Sequence, residues 1–198
     1  MPVHDWSKID PRLFHHFHHA WISTLCHTLN GGLLPPDRYA LVEEGEAGAN
    51  RLAIHHASDH RLVAVIDIVS PSYKNTRGAI GKCVEYAAGL LRDGVHLLII
   101  DLIPPGPLDP HGLHHLIWDK FGPNQFHLSG DRPLSLASYV GGAVHEALID
   151  PVGFGQALPD MPLFLKPDLR VPIPLESTYQ TAWDEVPLMW QEAVTMAA

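Results

Sequence analysis

The chain has 198 residues, of which 46% are hydrophobic and 18% charged, so it can bury the core of one domain. No apolar run approaches the roughly 20 residues of a membrane helix, and the opening segment, MPVHDWSKID, lacks the apolar stretch of a signal peptide. The formal net charge of −9 argues against a broad electrostatic surface for nucleic acid, although a small basic groove stays open as an alternative. Cys26 and Cys83 lie in helical patterns without a CxxC partner, which is typical of small buried side chains in a reducing compartment. We therefore expect a cytoplasmic protein with no membrane partner.

The first predicted element is a long amphipathic helix. Asp10 suits the N-cap and Pro11 the first turn, apolar residues then recur at helical spacing, and Asn30-Gly31-Gly32 predicts the end of the helix. A short strand over 39–43 and a loop of small residues over 45–50 follow.

The central segment predicts a β-α-β unit. Strands over 51–56 and 62–69 flank Ser58-Asp59-His60, a sequence suited to a hairpin turn. A helix over 80–91, which ends at Gly94, and a second apolar strand over 95–103 come next. A strand, a helix and a strand joined by short connections predict two adjacent parallel strands with a right-handed crossover.

After Pro104 the chain becomes rich in proline. We expect a short helix over 113–120, a strand over 126–128 and an element of undetermined type over 136–140. Residues 151–174 are expected to be extended, with Pro159-Asp160 and Pro167-Asp168 as turns. A last helix is expected to begin at Ser177, with an interruption at Pro187. Residues 1–150 would then form the α/β core, and residues 151–198 would wrap around it within the same domain.

The most informative residue is Asp67, a carboxylate near the C-terminal end of an apolar strand, where open α/β sheets place their sites. A carboxylate buried there needs a metal or a cationic partner. Lys82 and Tyr86, four residues apart, share a face of the next helix. A divalent metal, with a lysine that positions water, would suit phosphodiester hydrolysis, and Mg²⁺ needs only one or two carboxylates. Alternatively, Asp67 caps a turn or pairs with a lysine, and Asp101 on the next strand caps a turn or supports the site.

Seven segments carry a resemblance to a bacterial family of unknown function, number 4058. They are MPVHDW, FHHFHHAWI, LNGGLLPPDRYALVEE, VAVIDIVSPSYKN, LLRDGVHLLIIDLIPPGP, LPDMPLFL and VPIPLESTYQTAW. That family is similar to the Uma2-like proteins, which are placed in the PD-(D/E)XK nuclease superfamily. The resemblance covers nearly the whole chain and implies a restriction-endonuclease-like α/β fold, with a mixed sheet around the β-α-β unit.

The resemblance also implies a metal-dependent nuclease site. The early-strand glutamate of the superfamily corresponds to Glu43, its later acidic residue to Asp67, its Ser-Pro strand end to Ser70-Pro71 and its helical lysine to Lys82. In an alternative alignment the lysine is Lys74. On this basis Glu43 and Asp67 would bind Mg²⁺ or Mn²⁺, Lys82 would complete the catalytic set, and nucleic acid would be the partner.

One segment of the family pattern is missing. A Pro-Asp-Val segment usually lies between the Glu43 strand and the following hairpin, but here a few small residues join Glu43 to Arg51. The acidic residue that would help to hold the metal is therefore absent. This departure supports a second hypothesis, a catalytically inactive binding or oligomerisation module, such as a homodimer, with an exposed edge strand. The second hypothesis predicts that Lys82 points to solvent and that Glu43 lies apart from Asp67.

The 15 histidines support a third hypothesis, a metal-binding protein. His15 and His19 are four residues apart, as are His111 and His115, so each pair would share a helix face at a spacing that binds Zn²⁺ or Ni²⁺. A single site would require the two pairs to converge. The alternative is that these histidines are structural or bind metal adventitiously.

Overall fold

A mixed six-stranded sheet forms the centre of the computed structural model, which describes residues 3–45, 50–123, 126–143 and 146–197. The strands are β1 (Arg38–Glu44), β2 (Asn50–His56), β3 (Leu62–Ile68), β4 (His96–Asp101), β5 (Leu134–Val140), β6 (Glu146–Val152), β7 (Met161–Lys166) and β8 (Leu169–Ile173). The helices are α1 (Pro11–Thr28), α2 (Arg77–Arg92), α3 (Leu113–Trp118), α4 (Leu175–Asp184) and α5 (Leu188–Ala197). The loop expected over 45–50 falls mostly on residues 46–49, which lie outside the described residues.

The order of the described strands in the sheet is β1-β2-β3-β4-β5-β6, in which β3 and β4 are parallel and the other neighbours antiparallel. Because α2 connects β3 to β4, the predicted β-α-β unit and the mixed α/β sheet are confirmed. The hairpin of β2 and β3 is also confirmed, and His60 after its turn has φ 56°. A bulge between Ile54 and His55 shifts the register of this hairpin.

Both faces of the sheet are covered. Side chains alternate along β3, so Ile66 and Ile68 enter one core while Val65 and Val69 enter the other. The first core also contains the apolar faces of α1 and α4 and the β7–β8 ribbon, and the second contains those of α2 and α3. This double burial explains the continuous apolar sequences of β3 and β4.

The limits of α1 follow closely from its sequence. Asp10 accepts a hydrogen bond from Arg12 N, and Pro11 occupies the first turn, as predicted. At the other end the chain continues through one π-helical turn, Leu29–Leu33, in which Gly32 has φ 119°. The predicted stop at Asn30 is therefore a few residues early, and Asn30 lies within this last turn.

The segment before α1 packs against α4. His4 Nδ1 lies 2.7 Å from Tyr179 Oη, although the two residues are 175 positions apart in the chain. His4 also stacks on Trp183, with ring centroids 4.0 Å apart, and Trp6 stacks on Phe17 at 4.6 Å. The two regions of the chain thus share one aromatic core.

Three predictions for the proline-rich half were wrong. Residues 126–128 are irregular and do not form a strand. Residues 151–174 do not simply extend over the surface, because they include the β7–β8 hairpin, whose turn contains Pro167 and Asp168 as predicted. Pro159 and Asp160 are irregular and do not form the predicted turn. The element of undetermined type is β5, which pairs with β4.

The helices of this half agree with the sequence pattern. α3 lies within the predicted 113–120, and α4 begins two residues before Ser177 and is separated from α5 by a break at Pro187. None of the described helices is long and apolar enough to cross a membrane. Cys83 is buried, Cys26 is half-buried, and both are free thiols.

Candidate functional site

Arg51 and Asp67 form an ion pair inside the fold. Arg51 Nε lies 3.0 Å from Asp67 Oδ2, and each side chain is 6% exposed. The two residues stand on adjacent strands, one position beyond the Leu52–Ile66 pair of β2 and β3. The carboxylate that interrupts the apolar strand therefore has a cationic partner, which is an arginine of the neighbouring strand and not a lysine.

Two tyrosines complete the surroundings of the Arg51 guanidinium. Arg51 Nη2 donates a long hydrogen bond of 3.5 Å to Tyr73 Oη, and its guanidinium carbon lies 3.7 Å from the centre of the Tyr86 ring, whose face attracts cations. Burial is the largest single influence and disfavours the charged guanidinium, but the charge and hydrogen bond of Asp67, together with Tyr73 and Tyr86, outweigh it and raise the pKa of Arg51. Arg51 is thus an enclosed, permanent cation.

Only one of the two Asp67 carboxylate oxygens bonds to Arg51. Burial raises the pKa of this carboxyl above its ordinary value, although the Arg51 charge opposes the shift. Asp67 Oδ1 is buried, and no described group donates a hydrogen bond to it. The carboxylate therefore uses one oxygen for Arg51 and keeps the other free.

Lys74 holds a second group of carboxylates at the end of β4. Its Nζ lies 2.8 Å from both Asp101 Oδ2 and Asp109 Oδ2, and it donates a hydrogen bond of 2.7 Å to the Ile103 carbonyl. All three charged side chains are less than a tenth exposed. Asp101 Oδ1 also accepts a hydrogen bond from Ile103 N at 3.2 Å, which is the turn cap predicted as one alternative for this residue.

The two ion clusters share the α2 face of the parallel strands. Asp67 lies opposite Ile99, so Asp101 follows two residues further along on the same face of β4. Cys83 of α2 is buried near both, and burial, reinforced by the Asp67 charge, raises the pKa of its thiol to about 12. Cys83 is therefore an unreactive buried thiol at neutral pH.

The residues expected to form a metal-dependent catalytic set do not surround one cation. Glu43 is opposite Arg51 on β1, and its half-exposed carboxylate lies 2.9 Å from His55 Nε2. Lys82 is exposed on α2, and none of the hydrogen bonds or ion pairs of the described residues joins it to Glu43 or Asp67. Lys74, the alternative lysine, forms ion pairs with Asp101 and Asp109 and not with Asp67.

The side chains that are present do not fit the implied Mg²⁺ or Mn²⁺ site. Arg51 stands between Glu43 and Asp67, and a guanidinium offers hydrogen-bond donors and a positive charge but no lone pair for a metal. In the part of the chain that the structure describes, no three histidine, cysteine or acidic side chains are grouped to hold a metal.

His15 and His19 lie on α1, whereas His115 lies on α3 at the other face of the sheet, so the expected convergence on one site is not observed. The expectation that His111 and His115 share a helix face is wrong, because His111 lies in the turn before α3. His15 Nε2 and His19 Nε2 are 3.1 Å apart. The ring centroids of His111 and His115 are 4.9 Å apart, and His127 lies 5.3 Å from His111.

The outer edge of β1 is half closed by a side chain. The Asn30 carboxamide accepts a hydrogen bond from Ala40 N and donates one to Ala40 O, both at 2.9 Å, as a paired strand would. Because bonding direction alternates along an antiparallel strand, the backbone groups of Val42 and Glu44 also point away from β2. Leu41 and Val42 are 48% and 43% exposed. Within the described residues, the second half of this edge is open to another strand.

Arg51, Tyr73 and Asp109 are the members of these clusters that sequence reasoning missed. The available signal was the cost of burying Asp67, which demands a cation nearby, and Arg51 is the cation of the preceding strand. Comparisons of the chain with protein-family models, with curated proteins and with solved structures find no match.

Proposed function

We propose that this chain is a binding module on a nuclease-like α/β scaffold. In this module an internal arginine occupies the position of the metal ion that phosphodiester hydrolysis would require. The observation that carries the proposal is the Arg51–Asp67 ion pair. The family resemblance implies that Asp67 is a metal ligand, but in this chain Asp67 Oδ2 accepts a hydrogen bond from the Arg51 guanidinium. The exposure of Lys82 and the pairing of Glu43 with His55 support the same proposal.

A metal ion would have to displace Arg51 to use Asp67 as a ligand through Oδ2. The displaced guanidinium would leave the Tyr86 ring and a buried carboxylate, and it would need another partner. Loss of one partner from a buried ion pair costs about 3–5 kcal/mol. This cost favours the arginine over a weakly held divalent ion.

The surface that supports binding is the open half of the β1 edge, residues 42–44. An added strand would gain main-chain hydrogen bonds there and contact with Leu41 and Val42. Glu43 and Glu44 favour a strand with basic side chains, whereas an antiparallel second copy centred on this segment would place two Glu43 side chains opposite each other. The partner that fits is therefore an extended basic segment of another protein.

The catalytic part of the proposal is tested with supercoiled plasmid, single-stranded DNA and RNA, each with Mg²⁺ or Mn²⁺. We expect no cleavage by the natural chain or by Asp67→Asn. Cleavage that requires the metal and disappears in Asp67→Asn would overturn the proposal.

A variant designed to gain metal binding tests the exclusion of the metal by Arg51 without a cleavage assay. Arg51→Asp would place a third carboxylate between Glu43 and Asp67, so we expect Mn²⁺ to raise its melting temperature but not that of the natural chain. If Mn²⁺ stabilises the natural chain and not Asp67→Asn, the arginine does not exclude the metal.

The binding part is tested by titration with a synthetic peptide of alternating lysine and valine. Val42→Pro removes an N–H that points away from β2, so the β1–β2 ladder stays intact, and Val42→Thr keeps that N–H as a matched control. We expect the peptide to bind the natural chain and Val42→Thr but not Val42→Pro. Equal binding to all three would show attraction by charge without strand addition, contrary to the proposal.

A further inference from the structure

Two histidines on α1 already have the separation of two ligands on one metal ion. His15 and His19 stand one turn apart on the exposed face of the helix, with their Nε2 atoms 3.1 Å apart. With metal–nitrogen distances of about 2.0–2.1 Å and angles of roughly 90–110°, two nitrogen ligands are about 2.8–3.4 Å apart. The free pair therefore needs little rearrangement to chelate an ion.

We propose that His15 and His19 bind a divalent transition-metal ion, Zn²⁺ or Ni²⁺, through their Nε2 atoms, with water in the other positions. Imidazole nitrogen suits these ions, whereas Mg²⁺ and Ca²⁺ prefer oxygen ligands. The site lies on the α1 face of the sheet, away from the Arg51–Asp67 pair on the α2 face. It does not depend on the proposed binding function.

The neighbours of the pair support metal binding. The side-chain amide of Asn50, the first residue of β2, lies 3.1 Å from His19 Nδ1. A metal-bound histidine usually donates its second ring N–H to an oxygen, and the Asn50 amide presents one when it rotates.

His111 and His115 have the same spacing in the sequence but a different geometry, because His111 lies in the turn before α3. His115 Nδ1 is buried, and its Nε2 faces Asp119 Oδ2 at 3.6 Å. No hydrogen bond among the described residues joins His115 to His111, in contrast to the pair on α1. The two pairs therefore provide an internal comparison in which spacing is constant and nitrogen geometry differs.

Calorimetric titration of the untagged chain with Zn²⁺, and separately with Ni²⁺, tests the site. We expect one equivalent that His15→Ala and His19→Ala each weaken by at least about tenfold. His16→Ala, which removes an exposed imidazole from the same helix, and His111→Ala should leave this equivalent unchanged. Alanine favours helix, so these variants keep α1 intact. Unchanged affinity in both His15→Ala and His19→Ala, or an equal loss in His16→Ala, overturns the proposal.

Nitrogen NMR of the imidazole rings gives a direct readout that does not rest on affinity. Addition of Zn²⁺ should shift the Nε2 resonances of His15 and His19 together and leave the resonances of exposed His27 in place. Addition of Mg²⁺ should shift none of these resonances. Zn²⁺ shifts confined to other histidines would contradict the assignment.

Discussion

Arg51 on β2 and Asp67 on β3 meet with Nε and Oδ2 3.0 Å apart, in a position where both side chains are almost fully buried. A buried ion pair of this kind adds little stability relative to two well-packed apolar residues. Removal of one member is costly, however, because the other charge stays in the interior without a partner.

We expect Arg51→Met to lower the free energy of unfolding in urea by about 3–5 kcal/mol, because Asp67 would remain buried and unpaired. The double variant Arg51→Met, Asp67→Leu should recover most of this loss. Arg61→Met is the control, since Arg61 pairs with Asp59 at the surface, where such pairs contribute about 0–1 kcal/mol. A loss in Arg51→Met no larger than in Arg61→Met would show that the pair is not buried.

Substitution of Lys74 and substitution of Lys82 should have very different effects on the stability of the fold. Lys74→Met leaves the buried Asp101 and Asp109 without their cation, and we expect a loss of about 3 kcal/mol or more in urea unfolding at neutral pH. Lys82→Met, on the exposed face of α2, should change stability by less than about 0.5 kcal/mol. A large loss in Lys82→Met would indicate a buried partner that the structure does not show.

The Lys74→Met deficit should also depend on pH. Burial already raises the pKa of Asp101, and the Lys74 charge opposes this shift. Without Lys74 the folded-state pKa rises further above the unfolded value, so the variant is relatively more stable at low pH and loses stability as pH rises through the folded pKa. Unfolding curves at several pH values measure the trend, and a deficit that is constant with pH would contradict it.

His114 should make the fold sensitive to mild acid. Its ring is 3% exposed and is hydrogen-bonded through Nδ1 to Tyr139 Oη at 2.7 Å, and burial, with the His115 charge, lowers its pKa from 6.5 to about 4. Between pH 6.5 and about 4, His114 is therefore protonated in the unfolded chain but neutral in the folded chain. The free energy of unfolding consequently falls as the pH drops through this range. His114→Gln should reduce the pH slope of the unfolding free energy by up to about 1.4 kcal/mol per unit. His27→Gln, on the exposed side of α1, serves as the control and should leave the slope unchanged.

Asn30 should protect β1 against association. Asn30→Ala frees the buried Ala40 N–H and leaves the Ala40 carbonyl with only the weak donor Cys26 Sγ, so we expect a loss of about 1–3 kcal/mol in unfolding free energy. The lengthened open edge should also increase self-association in sedimentation experiments. Asn30→Asp keeps the acceptor for Ala40 N and should lie between the two. Equal hydrogen exchange at Ala40 in all three proteins would count against this role.

The sequence indicates the elements of the candidate site better than it indicates how they pair. The periodic patterns of β3, α2 and β4 place Asp67 correctly, but its partner depends on register. Near the turn His55 pairs with Leu62, and in that register Arg51 would lie opposite Ile66. The bulge brings Arg51 opposite Asp67 instead. A one-residue shift exchanges the faces of a strand, and no local pattern predicts this one.

The β7–β8 hairpin escaped prediction for a different physical reason. Pro162 and Pro172 lie opposite each other in its ladder. Proline argues against a strand because it has no N–H to donate. In a two-stranded ribbon each strand has an outer edge, however, and a proline whose nitrogen faces that edge removes no ladder hydrogen bond.

The aromatic core between α1 and α4 also constrains the order in which the chain can fold during synthesis. Phe17 and Trp21 are fully buried, and Tyr179 contacts both, with ring centroids 4.8 and 5.1 Å away. A ribosome releases α1 long before it makes α4. Throughout that interval the nascent helix presents an uncovered aromatic face, and this side of the protein reaches its final packing only when the last helices emerge.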